Sequence, residues 1–217
     1  MTSAIYPDCL QVTQGSAHAG QPSPRASQLR EGIWLQNVLE ENPDIDGVFL
    51  EDAVCKAEQR ISQLPLVLSH GDLTPFNVMD KGVIDFEHRF IAPFGYDAVT
   101  AAIYQRFWDY PRSDQTGTMK RWEFSDMQIA GYLLEVDRIC EQYNVPAVSE
   151  YFDDFLMLKS IWALSFEKTE DGARLPSGRW AWRKKITLYC AEKYLSGKPI
   201  VSQAFREIGL IDAPQKR

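Results

Sequence analysis

Apolar residues first recur at helical spacing at Leu29, Ile33, Val38 and Leu39. They follow Ser27, a residue type that caps helix N-termini, and Asn42-Pro43 closes the run, so a helix is expected there. Val54, Ala57 and Ile61 share one face of a second helix expected over 49–64, ended by Pro65. The texture then changes. Leu66-Val67-Leu68 reads as a short buried strand, and a polar loop follows over 69–76. Val78-Met79 and Val83-Ile84 read as two very short strands joined by Asp80-Lys81-Gly82, a turn with Gly where φ can be positive. A loop through Pro93 and Gly95 leads into a helix from near Asp97 toward Trp108.

The remainder reads as helical. Ser125 and Gln128 form an S-x-x-Q capping box opening a helix that ends near Tyr143, with Phe124, Met127, Leu134 and Ile139 among its apolar positions. Ser149 is the expected cap of a helix carrying Phe152, Phe155, Leu156, Trp162 and Phe166. A helix over 179–195 stops at Ser196-Gly197, and a short one fits 203–209. Residues 13–28 hold Gly, Ser, Pro, Ala and Gln without an apolar period, so 1–28 is expected to be a flexible tail and 29–217 a single domain. The expected fold class is α+β, mainly α-helical, with a small β-hairpin inserted in the first half of the chain.

Composition adds limits rather than detail. The 217 residues are 45% hydrophobic and 24% charged, ordinary for one globular domain. A net charge of −7 argues against nucleic acid or an anionic membrane as the main partner. Cys9, Cys55, Cys140 and Cys190 are far apart and form no CxxC or Cys/His cluster, which favours reduced thiols in a cytoplasmic protein. No apolar run approaches the ~20 residues of a membrane span, and residues 1–10 lack a signal-peptide pattern.

The chemistry-bearing stretch is Ser69-His70-Gly71-Asp72-Leu73-Thr74-Pro75-Phe76-Asn77, followed by Val83-Ile84-Asp85-Phe86-Glu87. Gly71 and Pro75 impose a rigid bend that displays Asp72 and Asn77 beside the strands. The next strand, a tight turn away, delivers Asp85 at its end. A carboxylate with an amide oxygen is a hard-ligand set for Mg²⁺, with waters and phosphate oxygens completing the octahedron. A second carboxylate beside it can accept a proton from an attacking hydroxyl. Each residue alone has a plainer explanation, as an Asx-turn, a loop cap or a helix cap. Their joint spacing does not.

H-G-D-L-x-P-x-N followed by I-D-F-E resembles the catalytic and metal loops of the aminoglycoside phosphotransferase and choline kinase-like group, relatives of the protein kinases. The resemblance covers residues 66–102. It implies ATP as co-substrate, Mg²⁺ as cofactor and a small-molecule hydroxyl as acceptor. It implies that Asp72 orients or deprotonates that hydroxyl and that Asn77 and Asp85 hold the metal. His70 becomes a positioning residue, and Asp97, in Gly95-Tyr96-Asp97, a brace for the catalytic loop. The family's N-terminal lobe is a sheet carrying a phosphate-covering loop and a strand Lys. Only 69 residues precede His70, and they read as Pro/Ser-rich and then helical. The one Lys among them, Lys56, lies in a helical pattern, and residues 15–20 (GSAHAG) lack the strand and Lys of a phosphate loop. The expectation is therefore a C-terminal lobe alone: a fragment of a longer enzyme, a stand-alone remnant, or a chain that takes the other lobe from a partner. The alternative is a catalytically inactive binding or regulatory module.

Three further features have simpler readings than a site. His88 with His70 and Asp72 could form a transition-metal hydrolase site, but the spacing imposes no such geometry, and a solvated loop at His88-Arg89 is simpler. Residues 179–185 (RWAWRKK) mix aromatics with cations. Packing of Trp180 or Trp182 in the core, with Arg183 and Lys184 facing water, is favoured there over a nucleic-acid surface. Glu167, Glu170 and Asp171 could meet a cationic substrate, yet read more simply as a charged helix end and loop.

Overall fold

Residues 31–74, 77–108, 125–165 and 178–201 are described by the computed structural model. Helix α1 (Glu31–Glu41) is followed by α2 (Gly47–Ile61), whose Asp46 N-cap accepts the N–H groups of Val48 and Phe49. The face of α2 formed by Leu50, Ala53, Val54, Ala57 and Ile61 is buried, as the 3.6-residue pattern requires. After α2 come four short strands: β1 (Leu66–Ser69), β2 (Val78–Met79), β3 (Gly82–Val83) and β4 (Phe90–Pro93). Helices α3 (Tyr96–Trp108), α4 (Asp126–Gln142), α5 (Phe152–Ser165) and α6 (Gly178–Leu195) complete the order. The protein is thus mostly helical with small antiparallel sheets.

Helix α5 is the centre of the core. Every residue from Asp154 to Leu164 is buried, so it has no solvent face, and α1, α2, α3 and α6 pack on it. Three polar residues in that stretch find partners. Asp154 pairs with Arg60 at 3.0 Å and accepts the Tyr194 hydroxyl, tying α2 and α6 to α5. Burial, with Asp154 alongside, pushes the Tyr194 phenol up. Ser160 donates to the Met157 carbonyl at 2.7 Å, and Lys159 reaches out of the helix toward the loop after β1.

Several expectations need correction. The stretch from Leu66 to Leu68 is a strand, but not a buried one: Leu66 is 38% and Leu68 61% exposed. β1 pairs antiparallel with β4, with Leu66 opposite Pro93 and Ser69 opposite Phe90. With a period of two, Ser69, Phe90 and Ala92 face the core, whereas Leu66, Leu68 and Ile91 lie on the outer face. β4 itself replaces part of the loop expected through Pro93; Pro93 is tolerated because both strands of a two-stranded sheet are edge strands.

In α4 the capping box is present, with Ser125 Oγ accepting the Gln128 N–H and Gln128 Oε1 accepting the Ser125 N–H. The buried face, however, is Ile129, Leu133, Val136 and Cys140, while Met127 and Leu134 are exposed. Ser149 does not cap α5. It lies in a single 3₁₀ turn (Val148–Tyr151), and its N–H donates to Asp137 at 3.1 Å.

Arg183 and Lys184 do not face open water either. Arg183 is 1% exposed and donates through Nη1 to the Ala163 carbonyl at 2.7 Å, satisfying an orphan carbonyl in the last turn of α5. Lys184 is largely covered and pairs with Asp44. Trp182 is buried, as one of the two tryptophans was expected to be.

Cys55, Cys140 and Cys190 are free thiols, and among the described residues no helix is long and apolar enough to cross a membrane. The expected tail over 1–28, the apolar Phe124 and Phe166, the carboxylates Glu167, Glu170 and Asp171, and the helix over 203–209 lie outside the described residues.

Candidate active site

The loop after β1 is shaped by Gly71. Its φ of +84° is a left-handed conformation, and a Cβ there would lie 2.2 Å from the His88 carbonyl oxygen. Only glycine lets the two backbones approach this closely. Its neighbour His70 is buried. His70 Nδ1 accepts the Asp72 N–H at 3.3 Å, and Nε2 lies 2.7 Å from the Ile84 carbonyl. That pair of partners assigns the proton to Nε2, because a carbonyl can only accept. The ring rests against Phe86 at 4.7 Å between centroids.

Asp97, in the first turn of α3, faces the same loop. Its Oδ2 accepts the His70 N–H at 2.7 Å and its Oδ1 the Gly71 N–H at 3.0 Å. Burial pushes the Asp97 carboxyl above its ordinary range, while these two donors and the Lys159 charge pull it back.

Asp72 and Asn77 are joined directly: Asn77 Nδ2 donates to the Asp72 carbonyl at 2.9 Å. The Asn77 N–H also closes a turn onto the Thr74 carbonyl at 3.0 Å. The β2–β3 hairpin pairs Val78 with Val83, and the Ile84 N–H extends it by bonding the Asn77 carbonyl at 2.9 Å. Both backbone groups of Ile84 are therefore held, one by Asn77 and one by His70, and Asp85 is the next residue. Asp85 is exposed, with φ 67° and ψ 56°, the left-handed region that aspartate tolerates better than most residues. One buried oxygen of Asp72, Oδ1, has no hydrogen-bond partner among the described residues. Backbone bonds thus tie the loop carrying Asp72, the predicted base, and Asn77, a predicted metal ligand, to the hairpin that leads into Asp85, the other predicted ligand.

A model describing the phosphotransferase enzyme family matches residues 9–133, more than half of the chain, and spans all of these residues. The chain belongs to that family. The matched region is wider than the motif stretch of residues 66–102 and takes in α1, α2 and α3 as well as the site. No curated protein and no solved structure matches the chain.

The transition-metal alternative finds no support in this arrangement. Among the described residues no group of three His, Cys, Asp or Glu side chains is placed to hold a metal, and both ring nitrogens of His70 are occupied.

Lys159 was not among the predicted site residues. It lies in α5 and is 2% exposed; its Nζ is 3.5 Å from the Gly71 carbonyl and 3.3 Å from the centre of the Trp162 ring. Burial lowers its pKa to about 7, opposed by the negative charges of Asp72 and Asp97 and assisted by Arg183. The signal available in the sequence was a single cation inside Phe155-Leu-Met-Leu-Lys159-Ser-Ile-Trp162, where every helical face is apolar.

Proposed function

We propose that this protein transfers the terminal phosphoryl group of ATP to a hydroxyl of a small molecule, with Asp72 as the base. The observation that carries this reading is the Asp72 carboxylate itself. It sits in a loop fixed from two sides, by Asp97 and by the Asn77 amide, and one of its buried oxygens has no hydrogen-bond partner among the described residues. A buried, unpartnered carboxylate oxygen is costly to maintain, and an incoming hydroxyl proton would satisfy it. Proton acceptance there, at hydrogen-bond reach of the attacking oxygen, is what general-base assistance requires.

Asn77 and Asp85 suit a magnesium ion. The Asn77 amide nitrogen is committed to the Asp72 carbonyl, which leaves its oxygen for a ligand, and the Asp85 side chain makes no capping hydrogen bond. One carboxylate and one amide oxygen are a typical protein share for Mg²⁺, which takes its other oxygens from water and phosphate. When bound, Mg²⁺ would neutralise charge on the phosphates. His70 and Asp97 would act through the loop backbone, fixing where Asp72 points. The rest of the grip on the nucleotide is assigned to a segment or partner chain beyond the described residues, corresponding to the N-terminal lobe. A cytoplasmic setting suits both ATP and the free thiols.

Thermal unfolding with and without Mg²⁺–ATP tests the reading. A ligand at about 100 times its Kd stabilises the folded state by about 2.7 kcal/mol. The shift should be present in the natural chain, absent in Asp85→Asn and retained in Asp72→Ala, while Asp72→Ala should lose phosphoryl transfer. Full transfer activity in Asp72→Ala would remove Asp72 from the role. Absence of any shift at millimolar nucleotide would favour an inactive module.

A further inference from the structure

We propose that Lys159 is a positioning residue for Asp72, acting through the Gly71 peptide. The inference rests on the reading of Asp72 as the base. Gly71 is held at both ends by side chains of opposite charge from different helices. Its N–H donates to Asp97 of α3 at 3.0 Å, and its carbonyl faces the Lys159 ammonium of α5 at 3.5 Å. Gly71 has φ +84°, and an added Cβ would lie 2.2 Å from the His88 carbonyl oxygen, so the loop passes close to that backbone. Asp72 is the next residue, so the direction of its side chain follows from how firmly that peptide is held.

The cost of the arrangement argues that it serves a purpose. A buried ammonium is expensive, and a methionine would fill a similar volume without charge. The ammonium is instead seated on the Trp162 ring at 3.3 Å and faces Tyr96 at 5.3 Å, where aromatic π-faces attract a cation. The charged groups acting on it are Asp72 from the loop, Asp97 from α3 and Arg183 from α6. Two carboxylates and one further cation thus act on the buried Lys159 side chain. Without Lys159, the Asp72 and Asp97 charges would have one cation fewer nearby, and the Gly71 carbonyl would lose its partner.

The test uses the full chain with Lys159→Met and Lys159→Arg, Mg²⁺–ATP turnover with water as acceptor, and amide hydrogen exchange. In Lys159→Met, exchange at Gly71 and Asp72 is expected to quicken by about tenfold or more, while amides of α5 and α6 keep their protection. Turnover is expected to fall roughly 10- to 100-fold in kcat with KM for ATP unchanged, as for a misplaced base, and Lys159→Arg to recover part of it. Unchanged exchange and unchanged kcat in Lys159→Met would overturn the proposal. A natural chain with no turnover would defeat the phosphotransferase reading separately; the exchange result would still decide whether Lys159 holds the loop. If Lys159→Met does not fold, the Lys159 side-chain NMR titration in the natural chain and in Asp72→Asn decides instead. The proposal requires the Lys159 midpoint to drop in Asp72→Asn, and an identical midpoint would overturn it.

Discussion

Asp97 and Gly71, 26 residues apart in sequence, meet at 3.0 Å through the Asp97 Oδ1 and the Gly71 N–H, while Oδ2 of the same carboxylate takes the His70 N–H at 2.7 Å. Both oxygens of one partly buried carboxylate are thus spent on consecutive peptides of the loop that presents Asp72. An amide cannot replace it, because its NH₂ would face one of the two donors.

Asp97→Asn should therefore destabilise the protein by about 1.5–3 kcal/mol, the range for hydrogen bonds to a charged group, and slow phosphoryl transfer. Chemical denaturation of the two proteins at pH 7 measures the first effect. The pH dependence has a definite sign. Burial raises the folded-state pKa of Asp97 above the ordinary 3.8, so the folded state holds that proton more tightly than the unfolded chain. The resulting stabilisation is complete below the ordinary value and is lost as pH rises through the folded-state pKa. Asp97→Asn should lack this component, which a comparison of the two denaturation profiles above pH 4 will detect.

Gly71→Ala should be among the most damaging single-methyl additions in the chain. The new Cβ would meet the His88 carbonyl oxygen at 2.2 Å, on a backbone with φ +84°. The left-handed conformation alone costs an L-residue about 1–2 kcal/mol, and the backbone shift adds to it. Gly131→Ala is the counter-case. It lies within α4, and its Cβ would meet nothing within 4 Å, so helix propensity alone should stabilise it by about 0.5–1 kcal/mol. Opposite signs for the two substitutions in urea denaturation are the expected result.

The contrast between local and distant partners explains what could be read from the sequence. The loop from His70 to Asn77 and the residues around Asp85 form one short stretch, so the motif names them together, and Asp97 belongs to the same motif. Helix periods placed α1, α2, α3, α4 and α6 closely, because each is amphipathic or carries a cap or stop signal. Three features were hidden. β4 has a proline at its end and no alternation visible without its partner β1. The outward exposure of Leu66 and Leu68 depends on which face of a two-stranded sheet meets the helices, which composition does not encode. Arg183 looks like a surface cation in a linear reading, and Lys159 shows only as a lone cation in an otherwise apolar helix. Their burial comes from partners 88 residues away at Gly71 and 20 residues away at Ala163.

Asp85 offers a separation of backbone from chemistry. Its φ of 67° places a side-chain-bearing residue where glycine is at ease. Asp85→Ala should be less stable than Asp85→Gly by about 1 kcal/mol, the cost of a Cβ in the left-handed region. Both should lose the Mg²⁺–ATP thermal shift equally, since both remove the carboxylate. A shift surviving in either variant would take Asp85 out of the metal site.

The buried Lys159 should leave its mark on the pH dependence of stability. Burial lowers its pKa from an ordinary 10.5 to about 7, so between those values the unfolded chain binds a proton that the folded protein has lost. Stability then rises with pH across that window, by at most about 1.4 kcal/mol per pH unit for one proton. Below pH 7 both states carry the proton, and the penalty of burying the charge is felt in full. Other groups work against the trend at the alkaline end. Burial raises the Cys140 and Cys190 thiols and the Tyr194 phenol, and their contributions to stability fall as pH climbs above their ordinary range. The informative quantity is therefore the difference between the natural chain and Lys159→Met, measured by urea denaturation from pH 6 to 9. That difference should move steadily in favour of the natural chain as pH rises from 7. A difference that stays flat would mean that Lys159 holds its proton throughout, compensated by Asp72 and Asp97 more fully than its burial implies.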